Sequence, residues 1–314
     1  MKRFALRDRT DRLDAVTQYE DIVRILATQE FPWDITQALS FALFRTYAVP
    51  SIGVLLHDTG EFTARPQKRY DDTVLILDAI LEHGMASTAG RAALRRMNQM
   101  HGAYDISNDD MRYVLSTFVV TPVRWLAEFG WRALTPHEVT AWTHYYRAMG
   151  RHMGIQDIPG TYEDFVTLLD DYEAKHFAFD TRSRAVADAT LELLTTFPPS
   201  NLAPKPLVTL FARTLMEDAL LDAFHYPRPS SLSRKLFRSA LWLRGRFVRY
   251  ALSPRETPLF GREGSNLRTY PQGFDVEKLG TFPKGCPVHH HRPAAATPTA
   301  EPEAAPPRQG TAST

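Results

Sequence analysis

One histidine, His101, is placed by its spacing on the apolar face of a helix, where an imidazole can act as a metal ligand. In the helix predicted over residues 88–104, this histidine follows Leu94 and Met97 at intervals of three and four residues, so the three side chains share one face. A neutral imidazole in that position is either a satisfied core side chain or a ligand for iron. The spacing leaves both interpretations open.

Two basic and two acidic residues lie at the start of another predicted helix, where Lys68 and Arg69 come just before Asp71 and Asp72. These residues can simply cap the helix and form a surface ion pair, which contributes less than about 1 kcal/mol. Alternatively, the planar guanidinium of Arg69 can pair with a buried carboxylate, such as that of a cofactor, through two charge-assisted hydrogen bonds. The sequence does not separate the two roles.

A strongly basic segment lies between residues 226 and 255, with eight basic residues and no acidic one. The basic residues are Arg228, Arg234, Lys235, Arg238, Arg244, Arg246, Arg249 and Arg255. Apolar residues at helical spacing accompany them, together with two aromatic rings: Leu236, Ala240, Leu243 and Phe247, then Trp242 and Tyr250. Such a helix suits peripheral contact with an anionic membrane surface, whereas a bundle helix would bury the stripe and leave its arginines in water. Both interpretations stay open.

The overall composition is that of an ordinary globular chain and excludes several classes of protein. The 314 residues include 37 Lys and Arg against 36 Asp and Glu, so the net charge of +1 provides no global attraction to nucleic acid. We therefore expect no nucleic-acid partner. The single cysteine, Cys286, excludes an internal disulfide and a cysteine-based zinc cluster.

The sequence predicts neither a signal peptide nor a membrane-spanning helix. The first residues are charged where a signal peptide needs an apolar run. The stretch 35–57 comes nearest to a span, but it contains Arg45 and Pro50, so we interpret it as a buried helix, a bend and a second helix. The expected location is the cytoplasm, with peripheral attachment to a membrane as the alternative.

Helical periodicity is the dominant pattern of the chain, and the alternation typical of strands is not sustained. Thr135 and Glu138 have the spacing of a capping box, and Pro136 suits the first helical position between them. Pro122 is expected to end or kink the helix that starts near Ser107. Further helices are predicted over 12–28, 34–46, 88–104, 162–178, 182–196, 206–224 and 231–251. The predicted fold is an all-α, single-domain bundle of many helices.

The composition changes along the chain and predicts three parts. Residues 1–255 form the helical domain, and the frequent Pro and Gly of residues 256–288 predict an irregular strap. Residues 289–314 contain no aromatic or large aliphatic side chain and are expected to be a disordered tail rich in Pro, Ala and Thr.

A series of short motifs, taken in order, resembles a known enzyme family over about residues 30–255. The motifs are Tyr47-Ala48-Val49-Pro50, Lys68-Arg69-Tyr70-Asp71-Asp72-Thr73, Arg96-Met97-Asn98 with His101, Ile106-Ser107-Asn108-Asp109-Asp110, Tyr113-Val114-Leu115-Ser116, Pro122-Val123-Arg124-Trp125, Gly130-Trp131-Arg132, Met153-Gly154-Ile155 and Asp171-Tyr172-Glu173. The chain resembles the fungal endoplasmic-reticulum-bound oxygenases of the type that cleaves the farnesyl chain in mycophenolic acid biosynthesis. That family is related to the bacterial rubber oxygenases, or latex-clearing proteins.

This resemblance implies a helical fold around a buried cofactor and substrate pocket. It also implies oxidative cleavage or oxidation of a carbon–carbon double bond by dioxygen, in an apolar substrate of isoprenoid or polyketide type in secondary metabolism. In the rubber oxygenases the cofactor is haem b, and its proximal histidine lies on the helix after the acidic pair. The corresponding stretch here, residues 109–117, contains no histidine.

The resemblance and the inward position of His101 together assign the candidate site residues. His101 is expected to hold the iron of haem b, and Arg69 to pair with a propionate or to orient Asp72 beside the cofactor. Arg96 or Asn98 is expected to polarise dioxygen.

Two other hypotheses remain. The chain can be a non-catalytic helical protein that binds an apolar ligand or an anionic membrane surface through residues 226–255, or an oxygenase that uses another metal or none.

Overall fold

Helices account for the regular structure of residues 2–280, the part of the chain that the computed structural model describes. The α-helices are α1 (Ala5–Thr10), α2 (Tyr19–Ile25), α3 (Pro32–Tyr47), α4 (Pro50–Asp58), α5 (Glu61–Ala64), α6 (Pro66–His83), α7 (Thr88–His101), α8 (Asn108–Phe129), α9 (Pro136–His152), α10 (Tyr162–His176), α11 (Thr181–Leu194), α12 (Lys205–Leu215), α13 (Asp218–Ala223) and α14 (Ser231–Ala251). No strand occurs within these residues, so the predicted all-α class is confirmed. The predicted tail 289–314 and Cys286 lie outside the described residues.

Helices α3 and α4 form the bent pair predicted for residues 35–57. Pro50 occupies the first position of α4, where its fixed backbone angle suits a helix start, and the two axes meet at 98°. Within residues 2–280 no single helix is long and apolar enough to cross a membrane, although this bent pair reaches that length and composition when its helices are taken together.

Helix α8 lies at the centre of the bundle, where it packs against α3, α9 and α10. Its N-terminus is capped by Ser107, whose hydroxyl accepts a hydrogen bond from the Asp110 amide at 3.0 Å. The predicted capping box of α9 is also present, with Glu138 bound to the Thr135 amide at 2.9 Å. The buried apolar side chains form two clusters, one around α8 and one that joins the end of α3 to α11–α13.

Pro122 is predicted to end or kink α8, and the first of these alternatives is wrong, because the helix continues to Phe129. Proline lacks an amide proton, so the carbonyl of Phe118, four residues earlier, loses its usual helical partner. The indole of Trp142 donates to that carbonyl at 3.2 Å. A neighbouring helix therefore satisfies the group that the proline leaves free.

Two other helices differ in length from their predictions. The helix expected over 12–28 begins only at Tyr19, because the carboxylate of Asp14 accepts hydrogen bonds from the amides of Val16 and Thr17 and holds a turn. The helix expected over 206–224 is interrupted at Met216, whose backbone is extended, so α12 and α13 are separate.

The segment after α14 runs back over α6 and α7. The amide of Leu259 donates to the carbonyl of Thr28 at 2.8 Å, and the guanidinium of Arg262 pairs with Glu82. Further along, the carboxylate of Asp71 accepts hydrogen bonds from the amides of Arg268 and Thr269 at 3.0 and 2.8 Å. Residues 256–280 thus cover the helices that carry the sequence-predicted site.

Candidate functional site

His101 is the last residue of α7, and its ring is held in the neutral form that a metal ligand needs. The Nδ1 atom lies 3.0 Å from the carbonyl oxygen of Met97, which fixes the proton on Nδ1. The Nε2 atom makes no hydrogen bond within the described residues, so its lone pair is available. Burial, assisted by the charge of Arg69, lowers the pKa of His101 to about 4. The imidazole is therefore neutral at pH 7, as a metal ligand must be.

Arg69, on α6, is a buried cation without a carboxylate in contact. Its Nη1 donates to the hydroxyl of Thr73 at 2.6 Å, and its guanidinium lies 5.1 Å from the ring centre of Phe62. Among residues 2–280 no acidic side chain lies within 4.0 Å of it, and burial lowers its pKa. Asp72 is near, but its oxygens are bound by Lys68 at 2.6 Å and by the hydroxyl of Tyr270. An isolated buried charge is unfavourable, so this position suits an anionic partner.

Two tyrosines complete this group. Tyr47 and Tyr104 both contribute to the electrostatic surroundings of Arg69, which places them near the guanidinium. Burial raises the pKa of Tyr47 to about 12, so it remains a neutral hydrogen-bond donor. Sequence reasoning did not assign either tyrosine to the site. Tyr47 begins one of the motifs that carry the family resemblance, and Tyr104 continues the apolar stripe of His101, so both signals were present.

Arg69 and His101 lie near each other, because the charge of Arg69 contributes to the lowered pKa of His101. Burial is the main influence on the pKa of each side chain, and both side chains keep some accessible surface. We call these two residues, together with Phe62, Tyr47 and Tyr104, the Arg69–His101 cluster.

The other two predicted site residues contact backbone carbonyls. The Nε atom of Arg96 donates to the carbonyl of Leu279 at 2.6 Å, which ties α7 to the end of the described chain. The amide of Asn98 donates to the carbonyl of His152 at 2.8 Å and joins α7 to α9. The structure thus brings together His101, Arg69 and Asp72, while Arg96 and Asn98 connect α7 to its neighbours.

A separate cavity of about 160 Å³ lies between the N-terminus, the start of α3 and the end of α14. Its two carboxylates are already paired with arginines, Glu30 with Arg132 at 3.2 Å and Asp34 with Arg244 at 2.8 Å. It therefore offers no free reactive group comparable with His101. Within residues 2–280, no cluster of three His, Cys, Asp or Glu side chains is placed to hold a metal ion.

The comparisons with known proteins all indicate the same family. The family described as ER-bound oxygenase mpaB/B'/Rubber oxygenase, catalytic domain, matches residues 35–246, a range that includes the Arg69–His101 cluster. The chain is 32% identical over 257 residues to ER-bound oxygenase mpaB' of Penicillium brevicompactum, covering 76% of this chain and 60% of that protein. It is 31% identical over 235 residues to ER-bound oxygenase mpaB of the same fungus, covering 68% of this chain and 59% of the relative.

A third relative, ER-bound oxygenase mpaB of Penicillium roqueforti (strain FM164), is 32% identical over 220 residues, which cover 64% of this chain and 72% of the relative. The chain thus spans about 60% of the length of the two relatives from Penicillium brevicompactum.

Proposed function

The chain belongs to the family of ER-bound oxygenases mpaB/B' and rubber oxygenases, and from this premise we propose that it is an oxidoreductase that uses dioxygen. Its substrate is an apolar molecule of isoprenoid or polyketide type in secondary metabolism, and the reaction oxidises or cleaves a carbon–carbon double bond. The observation that carries the proposal is the proximity of a neutral, inward histidine, whose Nε2 makes no hydrogen bond, to an arginine with no carboxylate within 4.0 Å among residues 2–280.

We propose haem b as the cofactor, because the Arg69–His101 cluster supplies both kinds of contact that a haem needs. Nε2 of His101 is free and neutral and would suit the iron, and the cation of Arg69 would suit a propionate. When bound, the haem would supply the iron centre at which dioxygen is activated.

The chain's own residues would position the reactants and exclude water. The Met97 carbonyl holds the His101 ring in one tautomer, and the Phe62 ring offers an apolar surface beside Arg69. The hydroxyl of Tyr47 stays protonated and forms a hydrogen bond with Thr190, and Tyr104 lies near Arg69.

Asp72 fixes this part of α6 through Lys68 and Tyr270, and Arg96 fixes α7 through the carbonyl of Leu279. These contacts favour positioning roles for Asp72 and Arg96. The same holds for Asn98, which binds the end of α9.

The absorption spectrum of the purified protein, before and after dithionite, tests the cofactor. We expect a Soret band that shifts on reduction, that is lost in His101→Ala and that is retained in His152→Ala, a matched change at an exposed histidine. A colourless protein without iron, even after haem is supplied during expression, would reject the haem proposal.

Reaction with isotopically labelled dioxygen and a farnesylated phenol as the probe tests the activity. We expect label in a shortened product, detected by mass spectrometry, and loss of that product in His101→Ala. Elemental analysis and an anaerobic reaction separate this proposal from an oxygenase with another metal, or from one with none. If the chain is instead a non-catalytic binder, no oxygenated product will form.

We further propose that the protein contacts a membrane surface peripherally through residues 226–255. Two observations support this: the matched relatives are named ER-bound, and this segment is basic without any acidic residue. A cytoplasmic location, and the absence of a nucleic-acid partner, stay predictions from the sequence.

A further inference from the structure

Helix α14 packs against the bundle with one face only. Its inward side chains make specific contacts with α3, α8, α12 and α13: Phe237 with Phe211, Arg238 with Glu128, Arg244 with Asp34, and Arg234 with Asp218. Gly245 lies so close to the carbonyl of Phe129 that an added Cβ would be 2.8 Å from it. Three arginines that a bundle helix would leave in water, Arg234, Arg238 and Arg244, therefore bind the body of the protein.

The apolar stripe of α14 faces away from the bundle. The large side chains of this stripe are 59% to 76% exposed: Leu232, Leu236, Leu243, Phe247 and Tyr250. They recur with Ala240 at intervals of four and three, so they form one continuous line along five turns of the helix. The prediction that a bundle helix would bury this stripe is wrong, because Leu241, Gly245 and the paired arginines occupy the inward face instead.

Basic residues lie beside this stripe, on one flank of helix α14. Lys235 and Arg246 are exposed and make no ion pair within the described residues, and Arg246 lies over the ring of Trp242 at 4.9 Å. Arg249 follows on the same flank, near Arg3, whose pKa is lowered mainly by burial and also by the charge of Arg249. An exposed apolar line with a cationic border is the pattern of a helix that lies in a membrane interface.

We propose that α14 is an interfacial membrane helix that docks on an anionic lipid surface. The stripe of Leu236, Leu243 and Phe247 enters the boundary between headgroups and acyl chains, and the flank of Lys235 and Arg246 contacts the phosphates. This inference rests on the proposed membrane contact and names the surface that makes it.

Other occupants of the stripe suit its chemistry less well. A second copy packed through the same face would bring the cations of the two flanks near one another without acidic partners. Residues 289–314 contain no aromatic or large aliphatic side chain with which to cover it. An anionic lipid surface matches both the apolar line and the charge.

Co-sedimentation of the full chain with lipid vesicles tests the apolar half of the proposal. The vesicles contain phosphatidylcholine with or without about one fifth phosphatidylserine. The triple variant Leu236→Ser, Leu243→Ser, Phe247→Ser is expected to lower the partition coefficient at least about 100-fold. The matched control Val16→Ser, Phe274→Ser, which removes exposed apolar surface elsewhere, is expected to bind like the unmodified protein.

The charged part of the proposal is tested with a double variant of the flank, Lys235→Glu with Arg246→Glu. The control is a double variant elsewhere, Arg91→Glu on α7 with Arg151→Glu on α9. The flank variant should bind phosphatidylserine vesicles at least about 30-fold more weakly, and the effect should shrink as salt rises. The control should lose much less, because its cations lie outside the stripe.

Three results would overturn the inference: equal binding by the stripe variant and its control, binding that ignores phosphatidylserine, or dimerisation through the stripe in sedimentation equilibrium. The oxygenase proposal is judged separately by the absorption spectrum. A stripe variant that keeps its Soret band but does not bind vesicles supports both proposals. An unmodified protein that binds vesicles but is colourless rejects only the haem proposal.

Discussion

Two buried arginines, Arg45 on α3 and Arg69 on α6, have opposite electrostatic surroundings. The guanidinium of Arg45 binds both oxygens of Glu173 at 2.6 and 2.5 Å and also contacts Glu217. The hydroxyl of Tyr113 donates to the same Glu173 carboxylate at 3.2 Å. Burial opposes the charge of Arg45, but these partners outweigh it and raise its pKa.

Arg69 has only a hydroxyl and an aromatic ring in contact, and burial lowers its pKa. A buried ion pair that is complete within the chain serves the fold, because every charge is already satisfied. A charge inside the fold that no carboxylate contacts is suited to an anion from outside the chain. The contrast therefore distinguishes a structural arginine from one that we propose to be functional, and the variants below test it.

The largest effect is expected at the structural pair. Glu173→Gln leaves the charge of Arg45 buried without its main partner, so we expect the free energy of unfolding to fall by about 3–5 kcal/mol. Urea denaturation followed by circular dichroism measures this. Glu217→Gln is the control, because that carboxylate is 62% exposed and its loss should be small. Equal losses in the two variants would contradict the structural role.

The second-largest effect on stability is expected from a change of pH, through His101 at the candidate site. The pKa of His101 falls from its usual 6.5 to about 4 on folding, so the unfolded chain binds this proton more tightly. Stability from this residue is complete above about pH 6.5 and is lost as pH falls toward 4, by up to about 3 kcal/mol.

Denaturation of the unmodified protein and of His101→Asn between pH 7 and 4 isolates this contribution. The comparison is needed because Asp78 titrates in the same range with the opposite sign. Burial raises the pKa of that carboxyl to about 6, so its stability is lost as pH rises. Parallel stability curves for the two proteins would show that His101 is not held neutral by the fold.

The sequence predicts only part of the fold and of the candidate site around Arg69 and His101. His101 was placed on an inward face by its spacing, and the bend between α3 and α4 by Pro50, because both depend on local pattern. The proximity of Arg69 to His101 depends on how α6 packs against α7, which no local pattern encodes.

Tertiary contacts also decide the features that the sequence placed wrongly. Trp142 of another helix satisfies the carbonyl that Pro122 leaves free, so α8 continues. Asp34 and Glu128 turn the arginines of α14 inward, so its apolar stripe faces outward. In each case a partner distant in sequence overrides a sound local rule.

A smaller effect on stability is expected from Arg69→Met. The side chain keeps its volume and loses a charge that Asp72 and Glu61 compensate only from a distance, so the free energy of unfolding should change by less than about 1 kcal/mol. If haem is bound as proposed, the haem retained after dilution, measured by the Soret absorbance, should fall sharply, because its propionate would lose the cation of Arg69. Arg69→Lys should restore part of it. A destabilisation as large as that of Glu173→Gln would show that Arg69 belongs to the fold.

The smallest effect is expected at an exposed pair that has nearly the same geometry as the buried one. Arg124 binds both oxygens of Asp170 at 2.9 and 2.7 Å, but the two side chains are 40% and 50% exposed. Asp170→Asn should therefore lower the free energy of unfolding by only about 0.5 kcal/mol, and 1 M salt should remove the difference because it screens charges within about 3 Å. The loss in Glu173→Gln should persist in the same salt, since ions cannot reach a buried carboxylate. Thermal denaturation of both variants at low and high salt makes the comparison. If salt reduces the loss of stability equally in Asp170→Asn and Glu173→Gln, then burial does not distinguish the Arg45 ion pair from the Arg124 ion pair. In that case Arg45 can no longer serve as the structural arginine with which Arg69 is compared.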